Sequence, residues 1–232
     1  MSKYKSILKY FIEFVVIVSG ITASFWVEEY RESLQNIEEK FKVLNSLKIE
    51  LDEIDLFCQE RKIVFKKDSD IISYLISSEK NLYDSIEKLV ETPFEIEVAI
   101  IDYRGFQPPM NRYNSIINEG TLKFVDSDSI KQLLGRLNNT LISYLNANVG
   151  DEKIIQQKIS SYIIENYPEI IMSENNTTLK NYYNILREKI NNDLNLKAYL
   201  KTKSRTMYVK NIFLDRYVET LVILRKEIER KL

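Results

Sequence analysis

Phe11-Ile-Glu-Phe-Val-Val-Ile-Val-Ser-Gly-Ile-Thr-Ala-Ser-Phe-Trp-Val27 is the stretch on which the fold of this chain turns. Helix rise is ~1.5 Å per residue, so the run covers about 26 Å, just enough for a bilayer hydrocarbon core. Tyr10, Trp26 and Tyr30 stand at its edges, where amphipathic rings settle at a membrane–water boundary. Lys3, Lys5 and Lys9 precede it, as in a signal peptide, but no small-x-small cleavage site leads into an exposed start. Ala23 and Ser24 run straight into Phe25-Trp26 and the helical pattern continues, so the segment reads as an uncleaved transmembrane anchor. A buried core helix is the alternative, because the run is short and holds one charge. The anchor reading divides the chain into residues 1–29, a single-pass anchor, and residues 30–232, a stalk and soluble helical body.

Outward from the anchor the chain stays helical. No Gly or Pro occurs between Ile21 and Thr92, and only five Gly and four Pro occur in all 232 residues. That composition leaves little material for tight β-turns. Leu34, Ile37, Phe41 and Leu44 form a heptad stripe, which Leu47, Leu51, Ile54 and Cys58 continue after a one-step slip. These predict a stalk helix to about Phe65, with Asp68 or Ser69 capping the next helix and a short helix over Leu82 to Val90. Phe94 to Ile101 alternates as a strand would, but lacks a convincing partner strand, so an irregular or helical segment is preferred. Further helices are expected over Met110 to Asn118, closed by Gly120, and from a Ser127 or Asp128 cap to Asn148. Another is expected from Gly150-Asp151 to Pro168, and one over Leu179 to Ile190 after the polar loop Asn175-Asn176-Thr177-Thr178. A last helix carries Leu214, Tyr217, Leu221, Leu224 and Ile228 as a seam suited to packing on the stalk. The fold class is all-α: an anchor, a long stalk and a body of about six to eight helices.

The chain has no histidine and a single cysteine, Cys58. Ser-His-Asp and Cys-His catalysis, an intramolecular disulfide and a cysteine zinc site are excluded. Carboxylate or lysine chemistry has no recognisable constellation, so the chain reads as a non-enzyme without cofactor or metal. Lys+Arg is 33 against Asp+Glu 34, a net charge of -1, which gives no whole-protein attraction to nucleic acid or anionic lipid. Any such site must be local.

Within the anchor, Glu13 has two readings: an interfacial side chain reaching toward headgroups, or a polar position lining a bundle of several copies. In the second, Glu13, Ile17, Ser24 and Glu28 would line a pore. Ser19, Gly20 and Ala23 make a small-residue ridge suited to close helix contact, and self-association is the natural way to use it. Glu28, Glu29 and Glu32 at the exit would form acidic rings in an oligomer or the solvated first turn of a monomer's stalk. Phe14, Ile17, Ile21 and Phe25 would form a dewetted gate or face lipid. The strongest basic cluster is Lys197, Lys201, Lys203, Arg205 and Lys210 with Tyr199 and Tyr208 interleaved. Cations among aromatic faces suit a nucleotide or single-stranded oligonucleotide, and a solvated helix face is the plainer alternative. Lys3, Lys5 and Lys9 face Arg31, Lys40 and Lys42 across the anchor, so charge does not choose the side on which the body lies.

Phe11 to Glu32, with an early Glu, a central Gly and a Trp/Glu/Arg-rich exit, resembles an uncharacterised bacterial family of single-pass membrane proteins. The stretch Arg112-Tyr-Asn-Ser-Ile-Ile-Asn-Glu-Gly-Thr-Leu-Lys-Phe-Val125 resembles that family's Tyr-x-x-Leu-x-x-x-Gly-x-Leu-x-x-Ile box, with Ile116 where Leu is usual. Together the two cover about a sixth of the chain. By architecture, and not by motif, the design is similar to membrane effectors of bacterial anti-phage systems, the Hailong-type effector above all. The resemblance implies an inner-membrane homo-oligomer that forms a channel under control of a nucleotide or oligonucleotide signal. A non-conducting anchored scaffold or sensor, binding a soluble protein partner through coiled-coil surfaces, is the second expectation.

Overall fold

The computed structural model describes residues 2–79, 82–172 and 177–232, with side chains from residue 9 onward. It is 86% helical, and no strand occurs among the described residues. Helix α1 (Ser2–Ile76) is 75 residues long, about 110 Å. Every residue from Lys9 to Glu38 is exposed, and the first buried ones are Val43 and Leu44. The N-terminal part of α1 therefore projects clear of the body, which gathers around its C-terminal half.

The stalk does not end near Phe65. Cys58, Phe65 and Ile72 repeat at seven residues and are all fully buried, so the seam runs on past the expected break. Asp68 caps nothing; it is buried inside α1 and accepts from Arg104 Nε at 2.9 Å. The end of α1 is closed instead by Arg187, whose guanidinium donates to the carbonyls of Tyr74 and Glu79, both at 2.7 Å.

Short elements follow: α2 (Tyr83–Glu87), α3 (Pro93–Ile101) and α4 (Asn111–Asn118). The alternating stretch Phe94 to Ile101 is helical because its start is built as a helix start. Pro93 occupies the first turn, and the Glu95 carboxylate accepts from the N–H groups of Thr92 and Glu91 at 3.2 and 2.7 Å. Glu50 of α1 does the same for α4, accepting from Arg112 N and Tyr113 N at 2.7 and 2.8 Å. Gly120, at φ 68°, closes α4 in the left-handed region. A 3₁₀ turn (Thr121–Phe124) leads to α5 (Asp128–Gly135), capped by Ser127.

No break occurs at Gly150. Through a π segment at Arg136–Leu141, α5 continues into α6 (Ile142–Asn166), and the helix ends only before Pro168. Then come α7 (Pro168–Met172), α8 (Leu179–Asn192), capped by Thr178, and α9 (Leu194–Glu229). Asn175 and Asn176 of the expected loop, and the side chains of Lys3 and Lys5, lie outside the described residues. Helix α9 runs antiparallel to α1: Glu229 meets Lys48, Arg225 meets Asp52 and Asp55, and Asp215 meets Lys62. Leu214, Tyr217, Leu221, Leu224 and Ile228 are fully buried against it, as the seam predicts.

The core has two apolar parts. One holds Val43 to Phe65 of α1 with Leu214 to Ile228 of α9 and the helices around α5. The other holds Ile71 to Leu75 of α1 with Leu196 to Met207 of α9, α8 and the later part of α6. A layer of buried charge lies between them.

Candidate functional site

That charged layer is assembled from three long helices, α1, α6 and α9, and the segment after α3. Lys210 is fully buried and ion-paired to the equally buried Glu152 of α6, with its ammonium 3.9 Å from the centre of the Phe65 ring. Lys203, one heptad earlier, is also fully buried and donates to the carbonyls of Ile100 and Asp102 at 2.8 and 2.6 Å. Asp68 and Arg104 complete the layer. Loss of water pulls the Lys203 ammonium down to about 8, against the opposing pull of the Glu152 and Asp68 carboxylates. Desolvation also lowers Lys210, opposed by its contact with Glu152. In another register of α9 against α1 and α6 these charges would lose their partners, at a cost of several kcal/mol each.

Lys203 and Lys210 are thus occupied within the core and lie apart from the solvent-facing members of the basic cluster. Lys201, Arg205 and Tyr208 are exposed along one face of α9; Lys197 is half-buried, 3.5 Å from Asn191. Tyr199 turns the other way, its ring 5.5 Å from that of Tyr162. The seven residues therefore divide among a buried seam, one open face and a second face beside α6.

The anchor candidates all lie on the projecting part of α1. At ~100° per residue, Glu13, Ile17, Ser24 and Glu28 fall within an arc of about 60°. Glu13 stands 3.8 Å from Lys9, and Glu28 accepts from Arg31 at 2.8 Å. The Ser24 hydroxyl is used inside the helix, donating to the Gly20 carbonyl at 2.9 Å. Ser19 and Ala23 share a second arc with Val27, Tyr30, Leu34, Ile37 and Phe41, residues that recur at three and four and continue into buried Leu44. Exposure along this stripe falls from 68% at Tyr30 to 40% at Phe41 and 0% at Leu44. Glu29 and Glu32 border a hollow of about 620 Å³ at the foot of the body, together with Lys40, Lys123 and Phe124. Lys40 there pairs with Asp126 at 2.7 Å.

Among the described residues one helix is long and apolar enough to cross a membrane; its most apolar window has a mean hydropathy of 1.8, and none of it is buried. The second stretch carrying the family resemblance forms α4 and the 3₁₀ turn, with Ile116 buried in the first core. Cys58 is buried, and desolvation beside Asp55 pushes its thiol up to about 12, so it is no nucleophile at neutral pH. Among the described residues no cluster of carboxylate or sulfur ligands is placed to hold a metal ion.

Asp68 and Glu152 were not expected in the core, nor was the half-buried Arg104 expected as the partner of Asp68. A signal did exist for the lysines: 196, 200, 203, 207, 210, 214, 217, 221, 224 and 228 form one unbroken three-four series, in which Lys203 and Lys210 occupy seam positions. No family model, no curated protein and no solved structure matches the chain.

Proposed function

We propose that this chain is a single-pass protein of a bacterial inner membrane that assembles with copies of itself through the projecting part of α1 and conducts ions. One observation carries the reading: the apolar stripe of α1 is sealed by the body from Leu44 onward and bare before it. The bare part has two zones, an apolar run long enough to cross a bilayer and a juxtamembrane heptad stripe ending at Phe41. Lipid accounts for the first. The second lies in water, where a stripe spaced at three and four is matched by another helix of the same kind. Ser19 and Ala23 continue the stripe into the membrane zone with small side chains that permit close approach. In a parallel bundle the arc of Glu13, Ser24 and Glu28 lies beside that seam and gives a polar lining.

A second reading has its own support. Glu13 and Glu28 each have a cation beside them, Lys9 and Arg31, which lessens the field an acidic ring would offer to cations. The same exposed stripe then serves a non-conducting anchored scaffold or sensor that holds a soluble helical partner.

Mass photometry of the full-length protein in detergent tests assembly. The expected result is a defined oligomer, lost in the Leu34→Glu/Phe41→Glu variant; a monomer at every concentration overturns self-assembly. Ion flux in liposomes tests conduction. Flux that survives Glu13→Ala combined with the stripe variant refutes the pore mechanism. A defined oligomer that never conducts selects the scaffold.

A further inference from the structure

Lys201 and Arg205 lie one helical turn apart on the open face of α9, with Tyr208 three residues on. Opposite them α1 presents Ser69 and Ser73, and the two helices enclose a groove of about 750 Å³ with Ile76 at one end. That volume is in the range of small-molecule sites, roughly 300–1,000 Å³. Among the described residues no carboxylate lines the groove, although the chain carries 34 acidic residues. Among the described residues neither Lys201 nor Arg205 forms an ion pair, whereas Lys62 and Lys66 nearby on α1 are both paired. The groove therefore keeps two uncompensated cations over a row of hydroxyls, in a protein whose net charge is -1.

We propose that this groove binds a soluble nucleotide through its phosphates. Groups one turn apart on a helix stand about 5–6 Å apart at Cβ, which suits a phosphate gripped from two sides. The Arg205 fork bonds two phosphate oxygens, the Lys201 ammonium a third, and serine hydroxyls donate to the remainder. The Tyr208 ring, 64% exposed at the groove's edge, offers a face on which a base stacks. A lipid headgroup is out of reach. Ser69 lies 42 residues beyond Val27 on one continuous helix, about 60 Å from the membrane end of α1. The proposal rests on the anchored reading only for that exclusion of lipid. A free nucleotide and the end of a single-stranded oligonucleotide share this chemistry, and the experiment separates them.

Isothermal titration calorimetry of the full-length protein in detergent would use ATP, inorganic pyrophosphate and a short oligouridylate. Binding is expected to weaken with added salt and to fall at least tenfold in Lys201→Ala/Arg205→Ala, while Lys226→Ala, on the same helix but away from the groove, leaves it unchanged. Tyr208→Ala should weaken ATP and oligouridylate and spare pyrophosphate. Tighter binding of ATP than of oligouridylate identifies a mononucleotide site, and the reverse order a strand site. Absence of binding by all three probes at millimolar concentration overturns the proposal, as does binding that the double variant retains. Heat of binding is read whether or not the protein conducts, so failure of the groove and failure of the channel are separate results.

Discussion

Replacing Lys210 by Met isolates the buried charge layer. Glu152 and Lys210 are 1% and 0% exposed, and each is the other's direct ionic partner. Methionine is unbranched and one atom shorter than lysine, and its thioether suits the neighbourhood of the Phe65 ring, over which the ammonium sits at 3.9 Å. What is lost is charge compensation: the Glu152 carboxylate stays in the core without its counter-ion, a loss of about 3–5 kcal/mol. Glu152→Leu strands the ammonium in the same way and carries a similar cost. If the two sites were independent, the double variant would lose roughly 6–10 kcal/mol. Because it removes both charges together, it should instead lie near the parent or above it, since apolar replacement of a buried pair is often neutral or stabilising by about 1–4 kcal/mol. Thermal unfolding of the full-length protein in detergent, followed by circular dichroism, reads the difference. Each single variant should melt on the order of 10 °C lower at about 2–4 °C per kcal/mol. A loss below about 1 kcal/mol in Lys210→Met, or a double variant as unstable as the sum of the singles, would refute the argument that the pair is coupled in a dry core.

Lys203→Met tests the neighbouring position through pH. The folded-state pKa of Lys203 is pulled to about 8 from an ordinary 10.5, so the unfolded chain binds more protons between those values and this group's contribution to stability rises with pH across that window. Cys58, pushed up to about 12, acts oppositely above its ordinary 9.0, so the measurement is the stability difference between parent and variant from pH 7 to pH 10; a flat difference contradicts the assignment. Asp193→Ala should cost about 1–2 kcal/mol, because its carboxylate caps α9 at the N–H groups of Asn195 and Leu196 while accepting from the hydroxyls of Tyr162 and Tyr167; a urea midpoint matching the parent's would contradict it. Gly120→Ala should cost about 1–2 kcal/mol by conformation alone, since φ is 68° and nothing lies within 4 Å of the added carbon; an unchanged melting temperature would show that the turn relaxes. Val18→Lys should raise the cost of membrane insertion by about 3 kcal/mol and move protein out of the carbonate-resistant membrane fraction; equal recovery of parent and variant there would contradict the anchor.

Much of this architecture is written in local pattern. The near absence of Gly and Pro before Thr92, the apolar run from Phe11 to Val27 and the three-four seam from Leu214 to Ile228 are local signals, and the two stretches lie within the long helices α1 and α9. The caps at Ser127 and Thr178 and the left-handed Gly120 are local too. These features are legible because capping, backbone conformation and helical periodicity depend on neighbours in the chain. Where the pattern was ambiguous, contacts between distant segments decided. Asp68 resembles a helix cap in isolation and becomes a core residue because Arg104 reaches it from the segment after α3. Lys203 and Lys210 resemble ligand-binding cations until Glu152, from another helix, and two distant carbonyls meet them. Lys201 and Arg205, a few residues away, stay in solvent. Periodicity states which face of a helix a side chain occupies, but not what covers that face. The cover is set by where other helices pack, and it alone distinguishes a buried charge from an open one and the bare stripe before Phe41 from the sealed seam after it.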